Sequence, residues 1–99
     1  MAKTSPGIVI CCRGAGQRRV QGKNCPDLTL WCDMDPKSSL FFSSIGEDSA
    51  LLCLNRSIPL RNKTLEPQER RVPYDKGRSV GENLLCAAAQ MIREAAEHE

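Results

Sequence analysis

Apolar residues recur along this chain with two different periods. Residues 8–12, Ile-Val-Ile-Cys-Cys, are a continuous β-branched and apolar run, which predicts a buried strand. From Leu28 to Met34 the pattern alternates, with Leu28, Leu30, Cys32 and Met34 on one side and Thr29, Trp31 and Asp33 on the other. Such alternation predicts a strand with one buried face, which Asp35-Pro36 then ends. Leu40–Ile45 and Ala50–Leu54 read as two further strands joined by a turn at Gly46-Glu47-Asp48. Gly14, Gly16 and Gly22 make residues 13–24 read as a loop.

The period changes near the other end. Val80, Leu84, Ala88, Met91, Ile92 and Ala95 fall on one side of a helix, with Glu82, Cys86, Gln90, Arg93 and Glu97 opposite. Ser79-Val80-Gly81-Glu82 forms a capping box that would start it. The expected fold is therefore α+β: a small antiparallel sheet of three to four strands, about 8–54, packed against one C-terminal amphipathic helix, about 80–97. A length of 99 residues suits a single small domain. Between the two parts, residues 55–79 carry Pro59, Pro67 and Pro73 and seven basic residues against three acidic ones. A basic, mobile segment is expected there, while the spacing of Ile58, Leu60, Leu65 and Val72 leaves short strands or docked loop segments open.

Composition narrows the function classes. Aromatic residues are only 4% of the chain, so the core is expected to be thin. The net charge is +2, from 14 basic and 12 acidic residues, which gives little bulk attraction to nucleic acid or anionic lipid. No apolar run approaches the roughly 20 residues of a membrane helix, so no membrane partner is expected. Met1 to Gly14 lacks the pattern of a cleavable signal, and the expected location is intracellular, in the cytoplasm. Cys11, Cys12, Cys25, Cys32, Cys53 and Cys86 would then be thiols. They include no C-x-x-C pair and the sole histidine is His98, so neither a metal nor a cofactor is expected. Asn55-Arg56-Ser57 and Asn62-Lys63-Thr64 match the N-glycosylation triplet, which keeps a secreted, disulfide-bonded chain as an alternative.

The sharpest chemical pattern is Cys12-Arg13-Gly14-Ala15-Gly16-Gln17-Arg18, a C-x5-R directly after the first strand. In cysteine-dependent phosphatases such a loop cradles phosphate, an arginine grips its oxygens, and the electropositive site favours an attacking thiolate. The segment resembles that of the low-molecular-weight tyrosine phosphatases, C-x-G-N-x-C-R-S after an early strand. That resemblance implies Cys12 as nucleophile, Arg18 as phosphate ligand and Asp35 as general acid. Ala15, Gln17 and Arg19 stand where that family has asparagine, its second cysteine and serine. Without covalent chemistry, the same loop reads as an anion site of Arg13, Gly14, Gly16, Arg18 and Arg19. A second resemblance is to CC chemokines, in adjacent Cys11-Cys12, later cysteines at 32 and 53, and a C-terminal helix. It implies paired cysteines bridged to two later ones in a secreted signalling ligand.

Nucleic acid could meet Arg13, Arg18, Arg19 and Lys23, or the basic segment 55–79. Neither stretch interleaves aromatic residues apart from Tyr74, so nucleic acid ranks behind protein as a partner. No Ser/His/Asp triad and no phosphate-binding G-x-x-x-x-G-K-[ST] loop can be built. By elimination, the expected function is that of a non-catalytic binding or adaptor module acting through a protein partner, with Arg56, Arg61, Arg70 and Arg71 as candidate contacts. The alternatives are a secreted disulfide-rich ligand and a thiol-dependent, phosphatase-like or anion-binding protein.

Overall fold

The computed structural model describes residues 7–22 and 24–97. In chain order the elements are β1 (Gly7–Cys12), β2 (Gly16–Gln21), β3 (Leu28–Cys32), β4 (Leu40–Ile45), β5 (Ser49–Leu54), β6 (Ile58–Pro59), β7 (Thr64–Leu65), β8 (Gln68–Pro73) and α1 (Val80–Glu97). The architecture is α+β with one C-terminal helix, but the expected small antiparallel sheet is corrected. The main sheet has six strands in the order β2-β1-β3-β4-β5-β8. It is mixed, because β3 runs parallel to both β1 and β4.

Two of the additional strands lie in stretches read as loop or mobile segment. Residues 13–24 contain β2, which pairs antiparallel with β1 from Gly7↔Gln21 to Cys12↔Gly16. Residues 55–79 contain β8, paired antiparallel with β5, and the separate β6–β7 hairpin. Both β2 and β8 are edge strands with a single buried residue each, Val20 and Val72. Charged residues on an edge also discourage pairing with another chain.

The parallel contact between β3 and β4 has a simple cause. Parallel neighbours ordinarily need a long crossover, because the chain must return to the start of the first strand. Here β4 begins where β3 ends, and Cys32↔Leu40 is the one paired position between them. The chain only steps sideways through residues 33–39 and continues in the same direction. The Asp33 N–H donates to the Leu40 carbonyl across the step at 3.2 Å.

Helix α1 lies on one face of the sheet. Ile8, Ile10, Leu30, Leu40, Leu52 and Val72 point to that face and join Leu84, Ala88, Met91 and Ile92 of α1 in one core. Ile58 and Leu60, from the β6–β7 hairpin, complete it. Asn24 ties three elements together at one end. Its Nδ2 donates to the Ala96 carbonyl at 2.8 Å, its Oδ1 accepts from Asn62 Nδ2 at 2.8 Å, and its carbonyl accepts from the Arg61 N–H at 2.9 Å.

The capping box is formed at the other end of the helix. The Glu82 N–H donates to Ser79 Oγ at 3.1 Å, and Glu82 Oε1 accepts from the Ser79 N–H at 3.2 Å. The Ser79 backbone N–H, then its hydroxyl, holds the Glu82 carboxyl below the ordinary carboxylate range, with help from Arg78. A depressed folded pKa gives stability that is present above the unfolded pKa and lost as pH falls through the folded value. Ser79→Ala is expected to lower stability by about 1 kcal/mol at neutral pH. Glu82→Gln should flatten the loss of stability below about pH 4.5. Urea unfolding of the three proteins between pH 3 and pH 7 checks both.

Candidate functional site

The C-x5-R segment folds as a hairpin. The Ala15 N–H donates to the Cys12 carbonyl at 3.1 Å, closing a β-turn. Gly14 and Gly16 carry φ of +78° and +86°, backbone that side chains rarely adopt, which is the local need for glycine here. Cys12 is the last residue of β1, and Arg18 sits across from Ile10 on β2. The segment therefore continues into an edge strand, where a phosphate-binding loop would run into a helix N-terminus. The Cys12 side chain points into the core below Gly81 of α1 and is 6% exposed. Burial raises its pKa, and the nearby Asp33 carboxylate raises it further. Arg18 points to the helix side and borders a surface hollow with Cys86, Gln90 and Arg93.

The other anion-site residues separate as well. Arg13 is 3.6 Å from Asp33, and Arg19 is 3.5 Å from Asp27. Asp35 caps its own turn, its Oδ1 accepting from the Lys37 N–H at 2.9 Å. Of the candidate partner contacts, Arg70 pairs with Glu94 of α1 at 3.1 Å, and Arg71 donates to Ser49 Oγ at 3.0 Å. Arg61 is exposed beside Asn24. Arg56 alone of the four reaches the hollow beside Trp31. Lys23, His98 and residues 1–6 lie outside the described residues.

All six cysteines are free thiols. Burial raises the pKa of Cys12, of Cys25, where Arg61 partly offsets it, and of Cys32, where Cys12 and Cys11 add to the effect. A thiol held protonated and buried is a poor nucleophile. Folded protein at pH 7.5 is expected to be alkylated at the half-buried Cys86 at least ~10-fold faster than at Cys12, Cys25 or Cys32. Phosphate should leave the Cys12 rate unchanged. Residue-resolved mass spectrometry after timed alkylation measures both. Among the described residues, no three His, Cys, Asp or Glu side chains converge as metal ligands.

The more distinctive surface is the sheet face turned away from α1. Side chains alternate across a strand, so Val9 and Cys11, between the core residues of β1, must point to the opposite face. Cys11 pairs with Trp31, and Phe41 pairs with Cys53, on that same side. No helix lies over this face among the described residues. Most of its apolar atoms are nonetheless shielded by their neighbours, with Cys11 and Cys53 buried and Val9, Phe41 and Leu51 half-buried. Trp31 is the exception at 62% exposed. A large indole left in water on a sheet face stands out even beside Met34 and Ile45, the other exposed large apolar side chains among the described residues.

Trp31 stands at the step between β3 and β4. It lines a hollow of about 340 Å³ together with Arg13, Asp33, Lys37, Ser38 and Arg56. The turn 33–39 that forms one wall is held in place. Ser38 N–H donates to the Asp35 carbonyl at 2.9 Å, and Asn55 Nδ2 donates to the Pro36 carbonyl at 2.7 Å and the Ser38 carbonyl at 3.3 Å. The backbone N–H of Asn55 donates to the Ser39 carbonyl at 2.7 Å. Sequence reading placed Trp31 on the polar side of its strand and assigned it no role. The signal was the one tryptophan of the chain standing among Thr29 and Asp33.

No protein-family model, no curated protein and no solved structure matches this chain. No helix among the described residues is long and apolar enough to cross a membrane.

Proposed function

We propose that this is a non-catalytic binding module that engages a protein partner through the uncovered sheet face around Trp31. The observation that carries this reading is the 62% exposure of Trp31 on the face opposite the helix. Exposed tryptophan is a strong anchor for association, because its burial removes much apolar area and its N–H finds a partner. Arginine, also enriched at such contacts, flanks it at Arg13 and Arg56. The sheet is rigidly buttressed from below by α1, so ordering it on binding costs little.

The placement of the thiols argues in the same direction. The cysteine lining the hollow, Cys32, is a buried thiol with a raised pKa, and Cys12 faces the core. The amide nitrogens of Asn55 and Asn62, which glycosylation would modify, are on exposed residues and donate to the Pro36 carbonyl and to Asn24 Oδ1.

A photoreactive residue placed at Thr29, on the exposed face next to Trp31, tests the reading. In extracts of the source cells it is expected to give discrete protein adducts that survive nuclease. The same group at Gln90, exposed on the outer side of α1, should give none of them. Adducts that vanish with nuclease, or equal adducts from Gln90, would overturn it.

A further inference from the structure

We infer that the hollow at the β3–β4 step is a carboxylate-binding subsite, and that the partner presents an acidic peptide segment to it. This deepens the reading just given and rests on it. The hollow brings together three cations, Arg13, Lys37 and Arg56, and two carboxylates, Asp33 and Asp35. The carboxylates are committed to the protein itself. Asp33 accepts from the Met34 N–H at 2.8 Å and faces Arg13 at 3.6 Å, and Asp35 accepts from the Lys37 N–H. Lys37 and Arg56 pair with no carboxylate among the described residues. Their charges are therefore available to an anion, with the Ser38 hydroxyl as a further donor on the same wall.

Net charge decides which anion. Three cations against two carboxylates leave +1, which one carboxylate neutralises. A phosphate group carries about −1.5 to −2 at neutral pH and would leave the hollow with excess negative charge next to Asp33 and Asp35. A nucleic-acid backbone would bring repeated charges past the same two carboxylates. The indole of Trp31 supplies the apolar half of the contact, and it suits a residue adjacent to the acidic one. The turn 33–39 is fixed by its own hydrogen bonds and by Asn55, so the subsite exists before its ligand arrives.

Trp31 is the only tryptophan, so its fluorescence reports the site directly. The probe is a capped peptide with a single carboxylate, Gln-Leu-Glu-Leu-Gln. It is expected to change the emission saturably, and the glutamine counterpart, Gln-Leu-Gln-Leu-Gln, to bind at least ~10-fold more weakly. The double variant Lys37→Gln, Arg56→Gln should lose ~10-fold in affinity for the acidic peptide with an unchanged unfolding midpoint, since both side chains are exposed. Arg56→Lys should recover part of the loss.

Equal affinity for the two peptides overturns the inference. So does an unchanged affinity in the double variant, or no binding of the acidic peptide by fluorescence and calorimetry. Tighter binding of the same peptide with phosphoserine for glutamate would assign the hollow to phosphate, and displacement by an oligouridylate would assign it to nucleic acid. Failure here with persistent protein adducts at Thr29 removes the carboxylate assignment alone. Loss of those adducts removes the binding face itself.

Discussion

Trp31→Ala is expected to reduce partner capture from the Thr29 position by at least ~30-fold while leaving the folded protein intact. The magnitude follows from the cost of truncating a central aromatic anchor, typically 2 kcal/mol or more. The absence of a stability effect follows from exposure. At 62% exposed, the indole contributes little burial to the monomer, and surface substitutions of this kind stay within about 0.5 kcal/mol. The two readouts separate a binding residue from a structural one. A variant that unfolds at lower urea, or one that captures its partner as well as the parent protein, contradicts the proposal. Trp31→Phe should keep part of the capture, because the ring is retained and the N–H is lost.

The largest effect on stability is expected one strand away. Ile10 is fully buried on the helix side of β1, paired with Leu30 of β3 and across from Arg18 of β2. Ile10→Ala should cost about 2–5 kcal/mol through lost burial and the cavity left behind. That is a large part of the 5–15 kcal/mol that holds a small domain together. Val9→Ala, the adjacent residue, should cost under about 1 kcal/mol, because Val9 lies half-buried on the face without a helix. The contrast between neighbours tests the assignment of faces. Equal costs would mean that the opposite side of the sheet is covered as well.

How much of this was legible in the sequence depends on where each residue lies. The helix was readable because its capping box and its period agree, and α1 spans Val80–Glu97 as that pattern indicates. The four strands with an apolar face were also readable, and Leu40–Ile45 is bounded as the pattern indicates. The edges were not. Gly-Gln-Arg-Arg-Val-Gln of β2 and Gln-Glu-Arg-Arg-Val-Pro of β8 each bury one valine, and a strand held mainly by backbone bonds to one neighbour leaves no alternating signature. The sheet's mixed character was hidden for another reason. Short connections ordinarily mean antiparallel neighbours, and a sideways step between end-to-end parallel strands has no marker in residue type.

The site shows the same division. The C-x5-R spacing was conspicuous in sequence, yet it spans a hairpin in which Cys12 turns into the core and Arg18 turns to the helix edge. Spacing along a chain fixes geometry only once the backbone between the residues is known. Arg56 and Arg13 came from two separate stretches, and Lys37 from a third. Only the step between β3 and β4 brings them around Trp31.

The sheet face carrying Trp31 is proposed as the surface that meets the partner. Hydroxyl-radical footprinting of the free protein and of the cross-linked complex tests it most directly. Trp31 is expected to oxidise rapidly in the free protein and to be strongly protected in the complex, with the half-buried Cys86 of α1 unchanged. Equal oxidation of Trp31 in both states, with protection on the outer side of α1 instead, would contradict the proposal.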